Sequence, residues 1–346
     1  MPRSIKKAPT KPKKAPRPPK LPKLLERKIY KTGQTRGADD DEIYQNRVSR
    51  TSTVLIPHAF FNNWCLPDNK LYEQGCIVLI SPDAYFSDPN INEDLERQNL
   101  TLGVNALVFY ETKAQWLAHN PEELKWKPAK ARTTPLCGNY VARISATTAA
   151  ADGEKINRGF TVTKMKGAGI RVYEYASAET INHCRLQLEM LFWRCYDAHS
   201  VAASNEMSEE QATARKKHIL DECHKHDLLD LERITAARML NNAGHTICPL
   251  CLEPLSAQGF FSRMEQAAGR AVLDLTITQL NLFHLEELRL GEWNHRPYNL
   301  GWGHHHCNVV VKDSGIRKTL IWMQKVLATN IANGHLPATA DSNKEV

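Results

Sequence analysis

The chain lacks any run of about eighteen apolar residues, the length a helix needs to cross a bilayer, so no membrane span is expected among its 346 residues. No apolar segment follows its basic N-terminus, which argues against a secretory signal. The phosphate-cradling pattern G-x4-G-K-S/T is missing, and with it the usual basis of a nucleotide-driven motor. No internal repeat is visible. Cysteine is not organised for disulfides: the nine thiols, at 65, 76, 137, 184, 195, 223, 248, 251 and 307, are odd in number and mostly irregular in spacing. That pattern fits a reducing interior, and a cytoplasmic, bacterial location is expected. Acid is nearly absent from residues 1–37, which hold thirteen Lys or Arg against the single Glu26.

What is present is ordinary in bulk, with 42% hydrophobic and 24% charged residues and enough length for about two domains. The net charge of +7 is uneven, because the N-terminal arm alone carries +12 and leaves a mildly acidic body. Such an arm suits a polyanionic partner, with nucleic acid the leading class.

Residues 1–42 read as a disordered Lys/Pro arm followed by an acidic connector, since Lys and Pro leave nothing to bury. Residues 43–176 read as strand-rich: Thr53–Ile56, Cys76–Ile80, Ala106–Tyr110, Tyr140–Ile144, Phe160–Lys164 and Ile170–Tyr175 are short apolar or alternating runs. Residues 177–243 read as a helical linker or dimerisation region. Within it, Ser208 and Gln211 form a capping-box pattern ahead of a helix expected from about 209 to 242. Residues 244–335 form a further unit, ending in a helix over Ile316–Asn330 that Ser314 can cap, and 336–346 read as a disordered tail.

The chemistry concentrates in that last unit. Cys248-x2-Cys251 is one metal-knuckle pair, and His304-x2-Cys307 repeats the same spacing, giving a Cys3His set suited to structural zinc. His305 and His306 compete with His304 for the fourth place. Between the pairs, Asp274–His284 alternates like a strand, Gly291 offers a turn, and Tyr298-Asn299-Leu300 leads into the second knuckle.

This order of Cys-x2-Cys, a strand ending in His, a glycine turn, Asn-Leu, a second knuckle and a following Asn resembles the HNH (ββα-metal) nucleases over roughly residues 244–330. The resemblance implies a general base at His284, a bracing asparagine at Asn299, and a ligand for the catalytic divalent cation at Asn308. It also implies Mg2+ at that centre and Zn2+ in the knuckles. The family's aspartate before the base is replaced by Phe283, so another ligand among Glu286, Glu287, His305 and His306 is sought. Phosphodiester hydrolysis independently wants these chemistries: a base near neutrality and a hard oxygen ligand for Mg2+.

Three N-terminal stretches, Lys31–Glu42, Thr53–Pro57 and Gly75–Pro82, are similar to BstXI-type restriction enzymes. That similarity implies a homodimeric Type II restriction endonuclease whose partner is double-stranded DNA, cut at an interrupted palindrome. The fold expected is therefore α+β, with a strand-rich recognition region, a helical middle and a zinc-stapled ββα-metal domain. Lys155, Arg158, Lys164, Lys166 and Arg171, five cations without an intervening acid, are the leading phosphate contacts, and Arg296 is a further DNA-contact candidate. Trp293, His295 and Trp302 stand near it in sequence. A formal PD-(D/E)xK match at Asp83, Glu123 and Lys125 is spoiled by Pro121 and Pro128. Cys223-His224-Lys225-His226 reads as a solvated helix face. A catalytically silent zinc-finger regulator and an HNH homing or mobile-element nuclease are the competing functions.

Overall fold

The computed structural model describes residues 17–30, 49–63, 72–145, 155–159, 169–267, 270–271, 278–287 and 294–337. Its first half is built on a six-stranded sheet. Strands β1 (Val54–Pro57), β2 (Cys76–Ile80), β3 (Ala106–Tyr110) and β4 (Tyr140–Ile144) run parallel in sequential order. β5 (Ile156–Arg158) closes one edge antiparallel to β4, and β6 (Ile170–Arg171) closes the other, parallel to β1.

Parallel neighbours require crossovers, and these carry helices: α2 (Pro82–Ser87) and α3 (Ile91–Arg97) between β2 and β3, then α4 (Lys113–Ala118) between β3 and β4. Ile91 and Leu95 of α3 pack with Val78, Ile80 and Ala106, while Trp116 of α4 packs with Val108, Tyr110 and Tyr140. These sheet residues share one face by register, so the helices lie together on that face. Leu55, Ile77, Leu79, Leu107, Phe109 and Val141 point the other way and meet Ala129 and Leu136. The strand-rich expectation for 43–176 is thus corrected to a mixed unit, with helices between the strands. Four of its strand runs stand as expected, but Ile170–Tyr175 is strand for two residues and then a 3-10 turn over Val172–Glu174. Each missed helix is short, and two are started by side-chain caps at Ser81 and Thr112.

The second half is organised around α5 (Ala178–Trp193). Every residue from Gln187 to Trp193 is buried, which marks a central core helix. Around it pack α6 (Ala198–Ser204), α7 (Glu209–Lys225) and α8 (Leu231–Ala236). Arg215 of α7 grips buried Glu189 of α5 through two nitrogen–oxygen contacts of 2.7 Å. The Ser208 capping box forms as expected. The single helix expected to 242 does not: α7 stops at Lys225, where Asp227 takes φ 53° and the Leu228 amide closes on the Cys223 carbonyl at 2.8 Å. Leu228 then enters the core and Asp230 caps α8.

Beyond a short antiparallel pair, β7 (Glu265–Ala267) and β8 (Arg270–Ala271), come β9 (Leu280–His284) and β10 (Leu300–His304). They form an antiparallel hairpin in which His284 opposes Leu300 and Leu280 opposes His304. α9 (His305–Val311) and α10 (Gly315–Ala332) follow. Ser314 occupies the N-cap position of α10 but makes no side-chain cap.

Two expected boundaries do not survive. Lys23–Tyr30, placed in a disordered arm, forms helix α1: Leu21, Leu25 and Ile29 recur every four residues and enter the same core as α5 and the hairpin. Buried Lys28 donates to the Leu280 carbonyl at 2.8 Å and to Thr278 Oγ1. The division at residue 243 is likewise no division of the core, since one apolar cluster runs from Leu21 through α5 and Ile234 to Phe283, Trp302 and Ile316. Trp302 anchors it, donating Nε1–H to the Leu188 carbonyl at 2.7 Å and meeting Phe260 edge-on at 4.9 Å.

Phe283 is fully buried, and its ring lies over Gly303 on the paired strand. A Cβ at Gly303 would stand 2.5 Å from Phe283 Cδ2. Gly303→Ala is therefore predicted to destabilise the fold by roughly 1–3 kcal/mol through overpacking. The check is the urea midpoint at constant m, and an unchanged midpoint would contradict this packing.

Candidate active site and metal centre

The first knuckle is a tight turn. The Cys248 amide donates to the Glu253 carbonyl at 2.9 Å, and the Leu252 amide returns to the Cys248 carbonyl at 2.8 Å with Leu252 at φ 66°. Arg238 supports it from α8's end, donating Nε–H to the Pro249 carbonyl at 2.8 Å. The second knuckle is made where β10 passes into α9: His304 is the N-cap residue and Cys307 lies in the first turn. The ligand atoms of Cys248, Cys251, His304 and Cys307 all fall within 4.8 Å of one another. His304 Nδ1 stands 3.4 Å from Cys251 Sγ.

Of the three tandem histidines, His304 is the one in the cluster. His305 turns its Nδ1 to the Asn281 amide at 3.0 Å, and exposed His306 stacks on the His304 ring at 5.5 Å. Burial alone would raise the Cys248 thiol, but hydrogen bonds from the His304 ring and from nearby backbone amides outweigh it and bring the thiol down to about 6. The same Cys248 contact, working against desolvation, raises His304. Cys251 and Cys307 are raised, each mainly by burial. Three sulfurs and one imidazole nitrogen at these separations fit tetrahedral zinc with every position filled by protein.

His284 ends β9, half-buried, with the His295 ring 6.1 Å away. Desolvation, joined by the charge of Arg50, pushes its imidazole down to about 3, so the ring is neutral at ordinary pH. Arg50 was not legible as a site residue; it is brought in from just before β1, donating Nη1–H to the Glu174 carbonyl at 3.0 Å. Burial raises the Glu174 carboxyl, partly offset by Arg50 and Arg171.

Asn299 is fully buried at the base of the loop joining β9 to β10. Its Oδ1 accepts from the Glu286 amide at 2.9 Å, its Nδ2 donates to the Asn294 carbonyl at 2.7 Å, and its own carbonyl accepts from the Leu285 amide at 3.1 Å. Both ends of that loop are thus tied through one side chain, directly beside His284. Asn294 in turn donates Nδ2–H to the Tyr173 carbonyl at 3.1 Å, joining the loop to the segment after β6. Asn308 lies on α9, half-buried, immediately after Cys307.

Phe283 is core and offers nothing to a metal. Of the substitutes, Glu286 pairs with Arg296, Glu287 pairs with Lys318, and both histidines are placed as above. Among the described residues, the only converging group of three or more His, Cys, Asp or Glu is the Cys3His cluster.

The five-cation run does not make one patch. Lys155 precedes β5 and Arg158 ends it, whereas Arg171 lies on β6 at the opposite edge of the sheet. Five inter-strand steps separate the two edges, roughly 24 Å. Arg158 pairs with Glu122, and Arg171 approaches the Tyr173 ring at 6.0 Å. Lys164, Lys166 and Trp293 lie outside the described residues. The Asp83, Glu123 and Lys125 match dissolves: Asp83 sits in α2 bonded to Gln115, and Lys125 is in a turn at φ 55°.

Fold and site together define a mixed α+β protein in which a parallel-sheet unit adjoins a hairpin–helix module closed on a Cys3His cluster. A sequence model of the BstXI restriction endonuclease family matches residues 27–305, about four-fifths of the chain. The chain belongs to that family. The match includes Arg50, Cys248, Cys251, His284, Asn299 and His304 and stops two residues before Cys307. No curated protein matches. A solved structure titled a type II restriction endonuclease is similar at TM-score 0.28 and 14% identity over 46% of this chain. The overlap covers 57% of that structure's length, and the likeness is too slight to argue from.

His284 titrates near 6.5 in an unfolded chain and near 3 in the fold. Between those values the unfolded state binds the extra proton, so stability present above pH 6.5 is lost as pH falls toward 3. Lowering the pH from 7 to 5 should therefore cost wild-type protein more of its urea midpoint than it costs His284→Asn. Equal losses would contradict the desolvated, neutral ring.

Proposed function

We propose that this protein is a Type II restriction endonuclease, making sequence-specific double-strand breaks by Mg2+-dependent hydrolysis at an HNH-type centre. The supporting observation is the arrangement of β9, β10 and α9: a hairpin with His284 at the end of its first strand, a loop tied by Asn299, and a helix carrying Asn308 beside the Cys3His cluster. Family membership supplies the substrate class.

In this reading zinc is structural. Cys248, Cys251, His304 and Cys307 would fill all four positions of the ion and leave none for a substrate, and holding it would lock the end of β10 to the start of α9. His284 is the general base, receiving the proton of the attacking water. Its ring is already neutral, and an incoming phosphate anion opposes Arg50 and raises the imidazole from about 3 toward a useful basicity. Asn299 is the positioning residue that holds the base-bearing strand end against the returning loop. Asn308 offers an amide oxygen, a hard ligand for the cation. With Phe283 in the core, the protein supplies few ligands, which fits Mg2+ that retains several waters. The bound cation would stabilise charge on the leaving oxygen.

Backbone phosphates would be met by Lys155 and Arg158 at one sheet edge and by Arg171 at the other, with Lys164, Lys166 and Arg296 as further candidates. One centre per chain and two strands to cut call for two copies of the chain, each presenting its centre to one strand.

His284→Ala should lower cleavage of a defined plasmid by about 100- to 10,000-fold, with specific binding in a gel shift nearly unchanged. A variant that cuts at the wild-type rate would sink the base assignment. Purified protein should carry about one zinc per chain by elemental analysis. Cys251→Ser should lose it together with thermal stability, and zinc-free wild-type protein of full stability would refute the knuckle pairing.

A further inference from the structure

Where α5 ends, three segments leave a cleft of about 350 Å³ between them. The first is the turn Arg194–Tyr196, which leads from the last residue of α5 toward α6. The second is the face of α7 that carries Lys216 and Leu220, four residues apart and so on one side of the helix. The third is Gly244–His245. It is held by the His245 amide on Asn241 Oδ1 at 2.9 Å and by the Thr246 amide on the Arg194 carbonyl at 3.0 Å. No residue of the His284 centre or of the Cys3His cluster lines this cleft.

Its lining offers donors and positive charge. Arg194, Lys216, Tyr196 and His245 can each donate a hydrogen bond, and no carboxylate or side-chain amide stands among them. Arg194 Nη1 donates to the Gly244 carbonyl over a long 3.4 Å, and its Nε is shut from solvent without a hydrogen-bond partner. Desolvation pushes this guanidinium down from its ordinary value, a cost that a bound anion would offset. The residues one turn from Lys216 on α7 are Ala212, Thr213, Ile219 and Leu220, all uncharged. Nearby acids in the sequence are engaged elsewhere. Glu189 of α5 is bound by Arg215, and Asp197, next to Tyr196, accepts from Ser256 Oγ and from the Ala257 amide at 2.6 Å. Among the described residues, neither Arg194 nor Lys216 is in ion-pair contact with a carboxylate.

A site of donors and cations calls for a ligand made of acceptors. Phosphate is that ligand: its oxygens match the planar fork of an arginine and take an ammonium as a point charge. The cleft is open along Tyr196, which is 59% exposed, and along exposed His245, so a phosphate can enter while attached to a larger molecule. Its volume lies at the low end of small-ligand sites and leaves room for more than a bare anion.

We propose that this cleft is a phosphate-binding site, with Arg194 and Lys216 as the charged partners and Tyr196 and His245 as donors at the rim. The phosphate belongs either to a DNA strand or to a small phosphate ester. Thr246, whose amide is bonded to Arg194, lies two residues before Cys248, so the site is anchored to the segment that forms the first knuckle.

Two measurements on the full-length protein, made without Mg2+, test this independently of cleavage. In the first, affinity for a random-sequence duplex is followed against salt. Lys216→Met and Arg194→Met should each lower the slope of log K against log[salt] by about 0.9, one phosphate contact, if the ligand is a DNA strand. In the second, inorganic phosphate at about 20 mM should raise the unfolding midpoint of the wild type roughly 2 °C more than that of either variant. A lower slope assigns the site to the DNA backbone. A difference in the second measurement alone assigns it to a small phosphate ester. Variants that match the wild type in both overturn the proposal. If Arg194→Met fails to fold, Lys216→Met decides both measurements.

Discussion

The meeting of Cys251 and His304, fifty-three residues apart in sequence, is the constraint from which the second half of the molecule takes its shape. Closing four ligand atoms to within 4.8 Å fixes where β10 ends and α9 begins. Antiparallel register then carries that placement back along β10, so His304 opposite Leu280 determines that His284 stands opposite Leu300. A one-residue slip would exchange Phe283 and His284 between core and site. The thiol–imidazole cluster thus sets the position of a residue it never touches.

The same module depends on the helices that precede it. Gln187 of α5 accepts from the Tyr298 amide at 2.7 Å while Tyr298 holds φ 64°, and Leu188 receives the indole hydrogen of Trp302. β10 is therefore gripped on one side by its knuckle and on the other by a helix with no exposed residue over its last two turns. A hairpin of two five-residue strands has little stability alone. Here it is the rim of a larger core that begins at Leu21.

Much of the site was readable from spacing, because knuckle pairs and an Asn between them are local signals with strict distances. Which of His304, His305 and His306 joins the cluster was not readable, since neighbouring residues on a strand-to-helix junction differ only in direction. The sheet was half legible. Runs such as Cys-Ile-Val-Leu-Ile gave the strands, while their unbroken hydrophobicity, the mark of strands buried on both faces, was an unused signal of parallel pairing and hence of the missed helices. The capping box of Thr112 and Gln115 was a further sign of one of them. Helix α1 was hidden by composition: the stripe of Leu25 and Ile29, with Leu21 just before the helix, is plain once Lys and Pro are set aside. Arg50 beside His284 had no sequence signal, because its approach depends on tertiary packing of the segment before β1 against Glu174. The five-cation run failed as a patch for the same reason, its ends being carried to opposite edges of one sheet.

The hydrogen bond from Asn294 to the Tyr173 carbonyl has a thermodynamic consequence. It joins the edge of the parallel sheet to the loop that Asn299 braces. Two regions connected in this way share one free-energy balance, and coupling between binding equilibria is reciprocal. A ligand that drew the sheet edge into a particular pose would change the population of poses at His284. By the same amount, occupation of the hairpin centre would change how tightly the sheet edge held that ligand. Discrimination between sequences would then be expressed twice, once in residence on the DNA and again in the fraction of bound molecules competent to react.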